Sequence, residues 1–172
     1  MNSLCRLADI LEGFSDLVGR ITAWLTLGLV LVVAVNVLMR YLFKIGSVAT
    51  QELEWHLQLV FTLLGLSYVL RHDGHVRIDI LYQYYGKKTR IWMELVTAVL
   101  IYVPLSLVIV YLSLNFVDQS YVCGEKSPDP GGLPFRFVLK SFIPAAFLLL
   151  AVQGAGTGLR NALLLIQKRH GV

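Results

Sequence analysis

Four stretches without a Lys, Arg, Asp or Glu, residues 21–39, 55–70, 95–117 and 141–159, set the terms on which this chain can fold. A helix needs roughly 18–20 apolar residues to cross a hydrocarbon layer, and each run reaches that length once the second is extended back through Glu52. Composition agrees, with 56% hydrophobic residues, 15% charged residues and a mean hydropathy of +0.68 over 172 residues. That is too apolar for a soluble domain of this size. The expected fold is an all-α integral membrane protein. Residues 1–172 form one domain, with four transmembrane helices at about 21–40, 51–70, 91–117 and 141–160 and an amphipathic helix over 1–20.

A net charge of +4 and a pI near 9.2 do not signal nucleic acid here, because the basic residues sit at helix ends, where membrane topology uses them. The N-terminus (Arg6, Arg20), second connection (Arg71, Arg77, Lys87, Lys88, Arg90) and tail (Arg160, Lys168, Arg169) hold ten Lys and Arg. Arg40, Lys44, Lys126, Arg136 and Lys140 are the five on the other side. The positive-inside rule therefore puts both termini in the cytoplasm. Asp9, Glu12 and Asp16 interrupt any signal-peptide core, so residues 1–20 read as an amphipathic helix. Its apolar face is Leu4, Leu7, Ala8, Leu11, Phe14 and Val18, and its opposite face is acidic. Cys5 and Cys123 fall on opposite sides of the bilayer and cannot pair within one folded chain.

The most informative stretch runs from Gln51 to Leu81, a span with acid at its outer boundary and a compact basic loop at its inner one. Ionisable groups at such depth are costly unless paired or hydrated, which singles out Glu52 and Glu54. Arg40 either snorkels to the headgroups or pairs with Glu52. Their nearness favours an ion pair tying the first two helices. Beyond the span, Asp73-Gly74 supplies turn chemistry, and His75 and Asp79 satisfy loop backbone and pair with Arg71 or Arg77. The spacing of His72, Asp73, His75 and Asp79 fits no zinc motif. Pro104 predicts a kink in the third span, residues 127–134 an ordered outer loop, and Gly154 with Gly158 a small-xxx-small pair permitting close helix contact.

In order and spacing, Arg40-Tyr41, Gln51-Glu52, Gly65, the run from Gly74-His75 to Asp79, Gly132-Leu133-Pro134, Lys140, Pro144 and Gln153-Gly154 resemble the small membrane subunit of tripartite ATP-independent periplasmic (TRAP) transporters. Gln51 stands where that family commonly has Glu, and Ala49 where it has Trp. The resemblance implies a scaffold subunit in a bacterial inner membrane. Its implied partners are a large membrane subunit that carries out sodium-coupled transport and a periplasmic binding protein that delivers an organic acid. It implies neither enzyme activity nor a cofactor, and it marks Arg40, Glu52, Gly65, His75, Asp79, Pro134, Lys140, Gly154 and Gly158 as structural or interface residues. In the spans themselves there is no central carboxylate and no sign of a broken, carbonyl-rich helix of the kind that binds ions. The large subunit's expected footprint is the Gly154–Gly158 face and the N-terminal helix. A membrane cytochrome needs histidines paired in depth inside the bundle, whereas His56 lies outward and His72 and His75 lie beyond the inner end. A small proton-coupled multidrug exporter needs a buried carboxylate in a span, and the first span offers only Asn36.

Overall fold

The computed structural model describes residues 2–72 and 85–169. Helix α1 (Asn2–Leu42) turns through residues 43–47 into α2 (Val48–Arg71). Helices α3 (Lys87–Thr97) and α4 (Val103–Val122) are joined by one π turn, Ala98–Tyr102, and together make the third span. The outer loop 123–135 then leads into α5 (Arg136–Arg169). The helices long and apolar enough to cross a membrane are Ala8–Leu42, Val48–Arg71, Lys88–Val122 and Arg136–Ile166. His75 and Asp79 lie outside the described residues.

Pro104 explains the π turn. It has no N–H to give the carbonyl four residues back, and its ring crowds that carbonyl, so the preceding turn widens instead of closing regularly. Val103 N–H then reaches Ala98 O, five residues behind. This widened turn lies against α5, where Ala98 is buried and an added Gly158 Cβ would stand 3.6 Å from the Ala98 side chain.

Helix α5 is the hub: α1, α2 and the third span all pack on it, and α1 also packs along α2. Two seams run along it. Ala146, Leu149, Gln153 and Gly156 are buried at three- and four-residue steps, with Leu163 two turns further on, and so are Ala151, Gly154, Gly158 and Asn161 at such steps. An added Cβ at Gly156 would meet Glu12 and Leu11 of α1. At Gly154 it would meet Tyr102 and Val103 of the third span. The Gly154–Gly158 seam thus serves the third span of its own chain, which corrects the expectation that it faces another protein. The facing residues are small or polar as well. Ser106, Ser113 and Ser120 repeat every seven residues on α4, the spacing that keeps one face toward a partner helix.

The N-terminal residues also depart from expectation. Helix α1 is unbroken through residue 20, and among its positions with a described burial the buried ones are Ala8, Glu12, Ser15, Gly19 and Thr22. Phe14 and Leu17 stay exposed, at 55% and 57%. Of the expected apolar face, Ala8 is buried, Leu11 and Val18 are half-buried and Phe14 is exposed, while Glu12 and Asp16 of the acidic face turn toward basic groups of α5 and α2. The physical reason lies in what surrounds it: hydrocarbon accepts Leu and Phe without cost, whereas the carboxylates need the basic groups of α2 and α5.

Close approach at Gly19 gives a direct check. An added Cβ would sit 2.3 Å from the Tyr68 ring, which is itself held 4.2 Å from the His72 ring, whereas an added Cβ at Gly28 meets nothing within 4 Å. Gly19→Ala should therefore destabilise the purified subunit by about 1–3 kcal/mol through overpacking. Gly28→Ala should leave its unfolding in detergent unchanged.

Candidate functional site

Charged and polar groups gather at the two ends of the bundle. At the outer end Glu52, buried near the start of α2, reaches across to loop 123–135. Its carboxylate accepts hydrogen bonds from the Ser127 hydroxyl and, at 2.5 Å, from the Leu133 backbone N–H. Arg136, at the start of α5, has a guanidinium nitrogen 3.9 Å from the same carboxylate and another 4.0 Å from Glu125. Glu125 accepts from the Lys140 ammonium and, at 2.6 Å, from the Ser120 hydroxyl. Lys140 also stands 3.9 Å above the Phe116 ring, a cation–π contact to α4. One loop is thereby fastened to three helices. Gly132 is required there because an added Cβ would lie 2.4 Å from Ser127 Oγ and 2.7 Å from Glu52 Oε2. The loop enters α5 through Phe135, a non-glycine residue at φ 64, a conformation that persists only where its surroundings over-determine it.

The expected Arg40–Glu52 pair is corrected by this geometry. Glu52 turns toward Ser127, Leu133 and Arg136, and Arg40 is exposed on α1. The contact that does join α1 to α2 near this end is Asn36 Nδ2 donating to Glu54 Oε1 at 2.7 Å. Loop carboxylates and basic residues close after Pro134 were visible in the sequence, but the fold-back that brings residue 127 to residue 52 has no local signature.

At the inner end, Arg160 of α5 lies 2.7 Å from both Asp9 and Glu12 of α1. Arg71 of α2 donates to the Glu12 carbonyl and stands 3.9 Å from Asp16, whose other oxygen is 3.0 Å from His72 Nε2. Asn161 donates to Glu94 of α3 at 3.2 Å. A sequence signal for this cluster existed, since an acidic helix face is a poor match for anionic lipid and calls for basic partners.

Between the two ends a cleft of about 840 Å³ opens among α1, α2 and α5, beneath Leu133-Pro134-Phe135. Its lining is apolar except for Thr22 and His56. It offers hydrocarbon contact and no cation for a carboxylate substrate. Among the described residues, no group of three or more His, Cys, Asp and Glu is placed to hold a metal ion.

The two end locks therefore do the work of a joint: they hold helices and a loop in fixed register. Residues 29–163 match the family of tripartite ATP-independent periplasmic transporters, DctQ component. The chain belongs to this family. A DctQ component is the small membrane member of a TRAP transporter. Glu52, Pro134 and Lys140 all lie in or against the fastened outer loop of this DctQ chain, Gly154 and Gly158 lie at the α5 seam, and an added Cβ at Gly65 would meet nothing within 4 Å. No curated protein matches the chain.

Two outcomes are expected for the outer lock. Glu52→Ala strands the Leu133 N–H and Ser127, so protease cutting between residues 125 and 135 should rise about tenfold, the factor expected on losing a hydrogen bond to a charged group. Hydrogen bonds from Lys140 and then Ser120 hold the Glu125 carboxyl below its ordinary range, against a smaller opposing effect of desolvation. A lowered carboxylate pKa contributes stability above the unfolded-state value of about 4.3, and that contribution is lost as pH falls through the folded value. The stability difference between wild type and Glu125→Gln should therefore be constant down to about pH 5 and shrink toward about pH 3, as read by thermal unfolding.

Proposed function

We propose that the chain is the fixed scaffold subunit of a sodium-coupled TRAP transporter in a bacterial inner membrane. A large membrane subunit performs the transport step, and a periplasmic binding protein delivers an organic acid to it. The observation that carries this reading is the use of the charged groups. Asp9, Glu12, Asp16, Glu52, Glu125, Arg71, Arg136, Lys140 and Arg160 bond one another or the outer loop, across helix boundaries. Groups so committed hold helices in place and are not offered to a passing ion or acid. Between the locks, the buried residues are mostly Ser, Gly and Ala, with Gln153, Thr22 and Leu149, a close packing that favours a rigid body over a moving one.

In this reading the termini are cytoplasmic and loop 123–135 faces the periplasm, with the binding protein on that side. Cys123 is free and exposed on that loop. In intact cells a membrane-impermeant maleimide should label Cys123 and spare Cys5. Labelling of Cys5 without permeabilisation would reverse the orientation. For the function itself, proteoliposomes with a sodium gradient and the binding protein should accumulate substrate only when both membrane subunits are present. Accumulation by this chain without the large subunit would reject the scaffold role, and full uptake by the large subunit without this chain would make it dispensable.

A further inference from the structure

One face of α2 carries two mid-span polar groups without a hydrogen-bond partner among the described residues. Glu54, Gln58, Thr62, Gly65 and Val69 follow at helical steps of three and four residues, which keeps them within about 80° of one another around the helix. They lie on the side opposite the buried Glu52, Ser67 and Leu70. Gln58 and Thr62 are exposed near the middle of a 24-residue span, and neither side chain is hydrogen-bonded among the described residues. Hydrocarbon cannot satisfy an amide or a hydroxyl, so such groups are used by neighbouring helices.

Two further observations fall on the same stripe. The carboxylates of Glu12, Asp16, Glu52 and Glu125 each have an Arg or Lys nitrogen within 4.0 Å. Glu54 has the neutral Asn36 amide at 2.7 Å and no Arg or Lys nitrogen that close among the described residues. It lies six residues, about 9 Å, inside the start of α2, near the boundary of the span, where a charge without a cation beside it is costly unless water reaches it. Gly65 adds the third feature: an added Cβ there meets nothing within 4 Å, whereas at Gly19, Gly154, Gly156 and Gly158 it meets a neighbouring helix. Gly28 on α1 is open in the same way, but Gly65 lies on the stripe with Gln58 and Thr62 and leaves room there for a closely crossing helix.

We propose that this stripe seats one transmembrane helix of the large subunit, which sets a Lys or Arg against Glu54, hydrogen-bonds Gln58 and Thr62, and crosses closest at Gly65. The proposal rests on the scaffold reading and names the surface it uses. Charge selects the occupant. Lipid tails bring no cation. A second copy related by a two-fold axis along the membrane normal would set Glu54 against Glu54 at one depth, like charge on like charge. The Gly154–Gly158 seam and the inner face of α1 are already covered within the chain, whereas Gln58 and Thr62 of α2 are open.

The test places the photo-crosslinker p-benzoylphenylalanine at Thr62, or as a control at Leu112 on α4, 62% exposed, in cells making the complete transporter. An adduct with the large subunit should form from position 62 and not from position 112. Gln58→Leu and Gly65→Leu should each cut the large subunit recovered with this chain about tenfold, the worth of one interhelical hydrogen bond or close crossing. Glu54→Lys should cut it further than Glu54→Gln. Unfolding of the isolated subunit should not change with Gly65→Leu, because the site opens outward. An adduct with a second copy, or no adduct at position 62 although the two subunits co-purify, would overturn the proposal and leave the scaffold reading standing. Failure of the unsubstituted chain to co-purify with the large subunit would remove both.

Discussion

Everything in this fold depends on how closely α5 can approach its neighbours. In lipid no hydrophobic gain drives helices together, because a lipid tail is as apolar as a leucine. Helix association must come from close van der Waals contact and from polar groups that lipid cannot serve. The chain meets both needs on one helix. Gly154, Gly156 and Gly158 let α1 and the third span come near, and Gln153 and Asn161 sit buried in the same seams. The bulky apolar side chains, such as Trp24, Leu100 and Leu112, face out.

The two end locks complete what the seams begin. Arg160 and Arg71 fasten the inner end of α1 to α5 and α2, and Glu52, Arg136 and Lys140 fasten the outer loop to α2, α4 and α5. Each lock joins residues far apart in sequence, as in the reach from Glu52 to Ser127 and from Asp9 to Arg160. Removing one member leaves its partners short of a charge or a donor, at the greatest cost for the buried Glu12 and Glu52. A bundle held at the middle by small residues and at both ends by ion pairs is suited to stand still while another subunit moves.

Much of this was legible in the sequence, and the reason is the bilayer. Spans follow from length and apolarity, and the disturbance before Pro104 follows from a missing N–H. What covers the acidic face of the N-terminal helix is not legible in its spacing, because amphipathicity in water and in lipid point opposite ways. Leu11 and Glu12, assigned to opposite faces by spacing, both stand against Gly156 of α5, and only the surroundings decide which residues turn inward. Glu52 was recognised as needing a partner, yet the partner was sought in the nearest basic residue, Arg40. A loop some eighty residues downstream supplied it, and no periodicity records a contact of that range. Gly154 and Gly158 announced close packing without saying on what, since the pattern is the same for an internal and an external neighbour.

The central claim is that the bundle stays rigid while transport proceeds around it. Spin labels at Trp24 on α1 and Tyr111 on α4, both well exposed, would report the distance across the bundle after Cys5 and Cys123 are replaced by serine. Pulsed dipolar spectroscopy on the assembled transporter should then be recorded with sodium, with sodium and loaded binding protein, and with neither. The account predicts one narrow distance distribution common to all three conditions. A shift of about 5 Å, the scale of a one-turn helix displacement, would contradict it.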